Sequence, residues 1–401
     1  MTVMAQPPTG DGNEAGETGA SDLTVRVASA IADIDAAAWD ACAGEGNPFI
    51  RHAFLDALEQ SGSACAETGW LPLHLAVEDA GRNLLAAAPC YLKSHSQGEY
   101  VFDHGWADAF ERAGGAYYPK LQVCAPFTPV TGPRLLTRPG PRAAEARSTL
   151  AQGLVALRRQ AGASSVHVTF LPHDEWRLLG DSGFLLRRDQ QFHWFNDGYA
   201  SFDDFLASLA ARKRKAIRRE RREALAADIA ITRLTGAGIT AEAWDAFFEF
   251  YQDTGSRKWG RPYLTRDFYH RIAASMADRV LLVMARRDGR YIAGAINFLG
   301  PDVLYGRHWG CIEDHPFLHF EVCYYQAIDY AISHGLSRVE AGAQGEHKLA
   351  RGYRPVPTFS AHDIAHPGLK RAIAEFLARE GRHVDAAQAE LEGMLPFRHE
   401  D

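Results

Sequence analysis

The chain has 401 residues, 46% hydrophobic and 23% charged, which is enough for about two globular cores and too ordinary for a fibrous or wholly disordered class. Its formal net charge is −7, but residues 1–22 carry four acids and no Lys or Arg and leave −3 for the rest; this excludes wholesale coating of nucleic acid and leaves room for a local basic patch. No stretch approaches the roughly 20 apolar residues that span a bilayer, and six scattered cysteines without a C-x-x-C pair read as reduced thiols, not a disulfide frame or zinc site.

Residues 1–21, rich in Gly, Thr, Ala and Pro, are expected to form a disordered acidic tail. They lack the positive n-region and apolar run of a secretory signal, and the expected location is cytoplasmic. A strand from Leu73, a tight turn at Gly81-Arg82 and a strand from Leu84 come next, followed by strand-like segments at Tyr100–Asp103 and 126–136. A helix with the apolar stripe Leu150, Leu154, Leu157 and Ala161 ends at Gly162, and a short strand follows at 165–170. Gly183-Phe184 leads into extended sequence, and a boundary is expected near residues 195–201.

Past it, Ser201 and Asp204 form a capping-box pattern ahead of Phe202, Phe205, Leu206 and Leu209, and the helix they open is expected to run into a basic stretch. The strand–turn–strand order then recurs at Val280–Arg286, Asp288-Gly289 and Ile292–Phe298. A strand at 303–309 precedes a helix from about His319 to His334, stopped by Gly335, and a strand at Ser337–Ala341 follows. A helix beyond Pro367 closes the sequence. The repeated order predicts an α/β (α+β) protein of mixed sheets flanked by helices, with lobes over 22–197 and 198–365 and a C-terminal helix and tail over 366–401.

This order resembles a tandem GNAT-type acyltransferase fold. Asn47-Pro-Phe-Ile, Gly98-Glu-Tyr-Val-Phe-Asp, Tyr117-Tyr-Pro-Lys-Leu-Gln and Pro126-Phe-Thr-Pro-Val-Thr-Gly sharpen the resemblance to the FemAB-related predicted N-acyltransferases. Glu321-Val-Cys-Tyr-Tyr-Gln and Gly342-Ala-Gln-Gly-Glu-His-Lys-Leu-Ala-Arg-Gly-Tyr carry it through the second half. The resemblance implies transfer of an acyl or aminoacyl group to an amine, with peptidoglycan precursors among the acceptors. It implies acyl-CoA or aminoacyl-tRNA as co-substrate and no tightly bound cofactor. The sequence departs from the family pattern at the loop Cys311-Ile-Glu-Asp-His-Pro-Phe. That loop has two acids and none of the glycines with which GNAT folds cradle the pyrophosphate of CoA at a helix N-terminus. The long helical arm of some FemAB-type enzymes is missing too. An acetyl-CoA-dependent N-acetyltransferase and a non-catalytic GNAT-fold protein docking RNA or an anionic surface are the alternatives.

The densest polar cluster, 340–354, follows a strand, where α/β proteins commonly place chemistry. Glu346 and His347 are candidate bases for an attacking amine, with Glu340 on the strand as their rival. Lys348 and Arg351 suit an anionic donor or a developing oxyanion, and Gln344 and Tyr353 complete the set. Arg307-His308-Trp309 stands where GNAT folds put acceptor contacts, and Asp103 and Phe127 are expected to line a cleft between the lobes. A solvated loop and ordinary core packing are the plainer readings of these residues. Arg212, Lys213, Lys215, Arg218 and Arg219 are candidate phosphate contacts, with tRNA or an anionic envelope precursor as partner, against the plainer reading of a solvated helix face. His315 and His319 lack a third ligand, so no metal is expected.

Overall fold

The computed structural model describes residues 2–3, 22–259, 262–342 and 345–398. Apart from residues 2–3, the expected tail lies outside them. The first-half strands are β1 (Thr2–Val3), β2 (Thr24–Ala28), β3 (Trp70–Pro72), β4 (His74–Glu78), β5 (Leu84–Ala88), β6 (Cys90–Lys93), β7 (Lys120–Val123), β8 (Leu136–Thr137), β9 (Ser165–Thr169) and β10 (Leu185–Phe195). Those of the second half are β11 (Ala230–Thr235), β12 (Val280–Arg287), β13 (Arg290–Leu299), β14 (Val303–Cys311), β15 (Arg338–Glu340) and β16 (Arg354–Ile364).

Both expected hairpins form. Asp288 and Gly289 have φ of 50° and 77°, the left-handed pair that a tight hairpin between twisted strands requires. β12 is apolar on both faces because both are covered. Val280, Leu282 and Met284 enter one core, and Leu281, Val283 and Ala285 enter another. The first of these cores joins the halves, since Phe49, from the Asn47-Pro-Phe-Ile string, packs against Phe298 and Tyr305 with ring centroids 5.0 and 5.4 Å away.

The strands make a five-stranded sheet, β1-β2-β4-β5-β8, and an eleven-stranded sheet, β11-β12-β13-β14-β15-β10-β16-β9-β7-β6-β3. The larger sheet is continuous because the halves exchange their last strands. β10 lies between β15 and β16, and β16 pairs with β9 of the first half. The helix Pro367–Gly393 packs across both exchanged strands.

Three expectations are corrected. Tyr100–Asp103 is not a strand: Tyr100 has φ 61° and Asp103 caps the helix His104–Arg112. The capping-box helix covers only Phe202–Ser208, and the basic helix is separate, Ala211–Ala224. Leu209 is buried in an extended bridge to Phe397, which draws the backbone out of helical geometry between them. The helix expected from His319 starts at Leu318, after Phe317 at φ 61°, and contains a π turn at Glu321–Tyr325, a feature often found near functional sites.

Candidate active site

β14 and β15 run parallel for three residue pairs, ending at Tyr305 opposite Glu340. β15 stops there while β14 continues to Cys311, so the sheet splays open at Glu340. Gly306 sits at the fork, where an added Cβ would lie 3.4 Å from the Glu340 carbonyl oxygen. The next residue, Arg307, occupies a β-bulge against β13, which re-aims its side chain. Its Nη2 donates to the Phe127 carbonyl at 2.8 Å. Phe127 has φ 58° and its ring stacks on Tyr263 at 4.9 Å. Left-handed backbone is costly for so bulky a residue, and such strain gathers at functional sites.

Glu340 is buried. One carboxylate oxygen accepts from Arg338 Nε at 2.9 Å; the other, Oε2, has no hydrogen-bond partner among the described residues and lies 3.8 Å from His193 Nε2. Burial pushes the carboxyl up to about 7, against the pull of the Arg338 and Arg307 cations. His193, also buried, is held at about 3 by burial and by the positive charges of Arg338 and Lys348.

Beyond Glu340, the Lys348 Nζ donates to the Gly342 carbonyl at 2.9 Å, and no carboxylate pairs with it among the described residues. Burial lowers its pKa to about 7, with Cys323 opposing and Arg307 adding to the shift. His347 is exposed; its Nε2 is 2.9 Å from the Tyr324 hydroxyl, and its ring leaves no room for a Cβ at Gly345, where φ is 117°. Arg351 donates to the His347 carbonyl at 2.7 Å and to Glu220 at 2.8 Å, and its guanidinium stacks 3.4 Å over Phe320. It therefore straps this segment to the basic helix. Tyr353 is buried edge-on to Tyr324. Gln344 and the Glu346 side chain lie outside what is described.

Of the Arg307-His308-Trp309 set, Arg307 and His308 border a small hollow with Phe49 and Phe127. Trp309 instead lines one of about 240 Å³ with Phe317, His319 and Phe320. Glu313 and Asp314 border that second hollow, at the start of the helix where a pyrophosphate would need N–H donors; Glu313 is paired with Arg287 at 2.9 Å, and the charge of Asp314 opposes phosphate. His315 contacts Glu313 at 2.9 Å, and among the described residues no group of three His, Cys, Asp or Glu could hold a metal.

Asp103 is drawn elsewhere, into a sealed cluster in the first half. Lys120 Nζ donates to Asp103, to Glu99 Oε2 at 2.7 Å and to Ser96 at 2.8 Å, while the Tyr117 hydroxyl donates to Asp103. On the basic helix, Arg212, Lys213 and Lys215 have no side-chain partner among the described residues. Arg218 pairs with Asp203 at 2.9 Å and Arg219 with Glu223 at 3.7 Å. Arg221 grips Glu321, on the π turn, through two bonds of 3.0 and 3.1 Å.

Sequence reasoning missed His193, Arg338 and the Lys120 cluster. The signal available for His193 was the alternation of Gln191 and His193 with Phe192 and Trp194 on a strand, two polar side chains on one face and two aromatic ones on the other.

The family model described as FemAB-like, peptidoglycan biosynthesis/recognition, matches residues 30–399. The chain belongs to the FemAB-like family. No curated protein sequence matches it. Among solved structures the FemAB-like chain is similar to FemX, at 14% identity and a TM-score of 0.54, over 85% of this chain and 98% of that one. It is also similar to the C-terminal domain of a putative lysylphosphatidylglycerol synthetase from Agrobacterium fabrum, at 10% identity and a TM-score of 0.52, over 87% and 97%. At such identities the likeness is one of fold, and it agrees with the expected tandem GNAT-type architecture. Among the described residues no helix is long and apolar enough to cross a membrane.

Proposed function

We propose that this FemAB-like protein transfers an acyl or aminoacyl group to an amine on a peptidoglycan-type envelope precursor, with Glu340 as general base and Lys348 polarising the donor carbonyl. The observation that carries the reading is a buried carboxylate at the splay of β14 and β15 and, on the Gly342 carbonyl just past it, a buried lysine; among the described residues one oxygen of the first has no hydrogen-bond partner and the second has no counter-ion. A carboxylate with a pKa near 7 can take a proton from an ammonium acceptor at neutral pH. The amine nitrogen then bonds to the donor carbonyl carbon, and negative charge on its oxygen meets the Lys348 ammonium. Collapse breaks the carbon–oxygen bond of an ester donor or the carbon–sulfur bond of a thioester; Glu340 gives its proton to the leaving group, then takes the second proton from the new amide nitrogen and releases it to solvent. His347, exposed and bonded to Tyr324, supports a role at the rim rather than as base.

Arg212, Lys213 and Lys215, unpaired among the described residues, favour an aminoacyl-tRNA donor, and the charge of Asp314 and the lack of glycines in its loop disfavour a CoA pyrophosphate in the second half. The test is mass spectrometry of a muropeptide with a free amine after incubation with the protein and either alanyl-tRNA or acetyl-CoA. Acylation from alanyl-tRNA is expected. It should fall at least about 100-fold in E340Q and K348M, and less than about tenfold in E346Q and H347A. Undiminished acylation by folded E340Q overturns the reading.

A further inference from the structure

The exchanged strands carry one device twice. β10 and β16 are each 11 residues long, and the ninth residue of each is a histidine directly opposite a polar residue of the neighbouring strand. His362 faces His167, and His193 faces Glu340. Each histidine is preceded two residues earlier by a polar side chain near its Nε2: Ser360 at 3.0 Å from His362 and Gln191 at 3.5 Å from His193. In the first half the arrangement is closed, because the two Nδ1 atoms are 2.7 Å apart and His167 Nε2 is 2.7 Å from Ser165 Oγ. In the second half the histidine looks from 3.8 Å onto Glu340 Oε2, the buried oxygen without a hydrogen bond among the described residues.

We propose that His193 is a positioning residue for Glu340: its Nε2–H, 3.8 Å from Oε2 and beyond hydrogen-bond reach of it in this structure, closes on that oxygen when the carboxyl ionises, so that the remaining lone pairs face an acceptor amine at the strand splay. The proton belongs on Nε2 because both of that atom's neighbours are acceptors. Gln191 is fixed with its amide nitrogen on the Pro129 carbonyl at 2.7 Å, so its oxygen faces His193. Burial and the nearby cations keep the ring neutral, so its approach to the carboxylate brings no second charge. The other groups around the pair are Arg338 on Oε1, Tyr305 and Arg307 from β14, Lys348 beyond β15, and Arg354, opposite on β16 but turned to Asp197. The base of one half would thus be aimed by a strand from the other half.

This inference rests on Glu340 as the base, and one experiment separates the two ideas. In protein labelled with 13C at glutamate carboxyls, the resonance missing from E340Q reports the titration of Glu340, with no substrate needed. Removing the donor in H193A should raise its midpoint by about one pH unit, and H193Q, which keeps a donor, should restore it. The acid limb of acyl transfer should move with it. H193N serves as the donor-keeping variant should H193Q misfold. A folded H193A with an unmoved Glu340 midpoint overturns the role of His193 while leaving Glu340 as base. Undiminished transfer in E340Q removes the base itself, whatever His193 does.

Discussion

Lys120 and Lys348 are both buried, one in each half, and they differ in what stands beside them. Burial works against either ammonium. For Lys120 the carboxylates of Glu99 and Asp103 outweigh it, and the pKa is raised; Lys348, which among the described residues bonds a carbonyl and no carboxylate, falls to about 7. The carboxyls do not sort as simply. Burial raises Asp103, Glu99 and Glu340, but Lys120 and His167 pull Asp103 well below the usual range, while Glu99 and Glu340 both stand near 7. Buried charge as such therefore does not mark a site. A paired cluster is architecture, whereas a lysine and a carboxylate left incompletely matched at a break in the sheet can act on something else.

That contrast is open to direct attack. The largest effect is expected from K120M, which leaves Asp103 without its lysine and Glu99 with only Lys93, 3.8 Å away. Urea unfolding should show a loss of about 3–5 kcal/mol, and a loss below about 1 kcal/mol would mean that the cluster is not the strut inferred here. K348M strands no anion. It should leave urea stability unchanged or slightly raised while transfer falls by about 10²–10³-fold, so a large loss of stability would erase the distinction between the two lysines.

E340Q should separate from the wild type with pH. A carboxyl whose folded pKa is raised from 4.5 to about 7 contributes stability that is fully present below about pH 4.5 and is lost as pH rises through 7. Across that window E340Q should gain on the wild type by about 3 kcal/mol, read from denaturation midpoints; parallel curves would show Glu340 to be solvated.

The smallest effect tests the same logic within the basic helix. Replacing the unpaired Arg212 and Lys215 by Ala should shift stability by less than about 0.5 kcal/mol but lower the salt dependence of tRNA binding. R221A, which frees the buried Glu321, should cost about 3 kcal/mol. Equal stability effects would abolish the division between free and structural cations.

The sequence by itself determined what depends on neighbours along the chain. The helical stripe of Leu150, Leu154 and Leu157, the Asp288-Gly289 turn, the paired hairpins and the polar richness of 340–354 all express local geometry and periodicity. Glu340 and Lys348 were legible as candidates for that reason. Tertiary structure alone decided which of the candidates could act together. Pro119-Lys120-Leu121 and His347-Lys348-Leu349 read alike as strings, yet among the described residues one lysine meets two carboxylates and the other none. Asp103 reads as a cleft residue until the fold brings Lys120 onto it, and Arg351 reads as a free cation until Glu220 reaches it from the basic helix. His193 gained its meaning only from strand exchange, which sets it opposite Glu340. Register between distant strands, and the counter-charges that decide whether a buried group ionises, come from chain segments that no local pattern brings together.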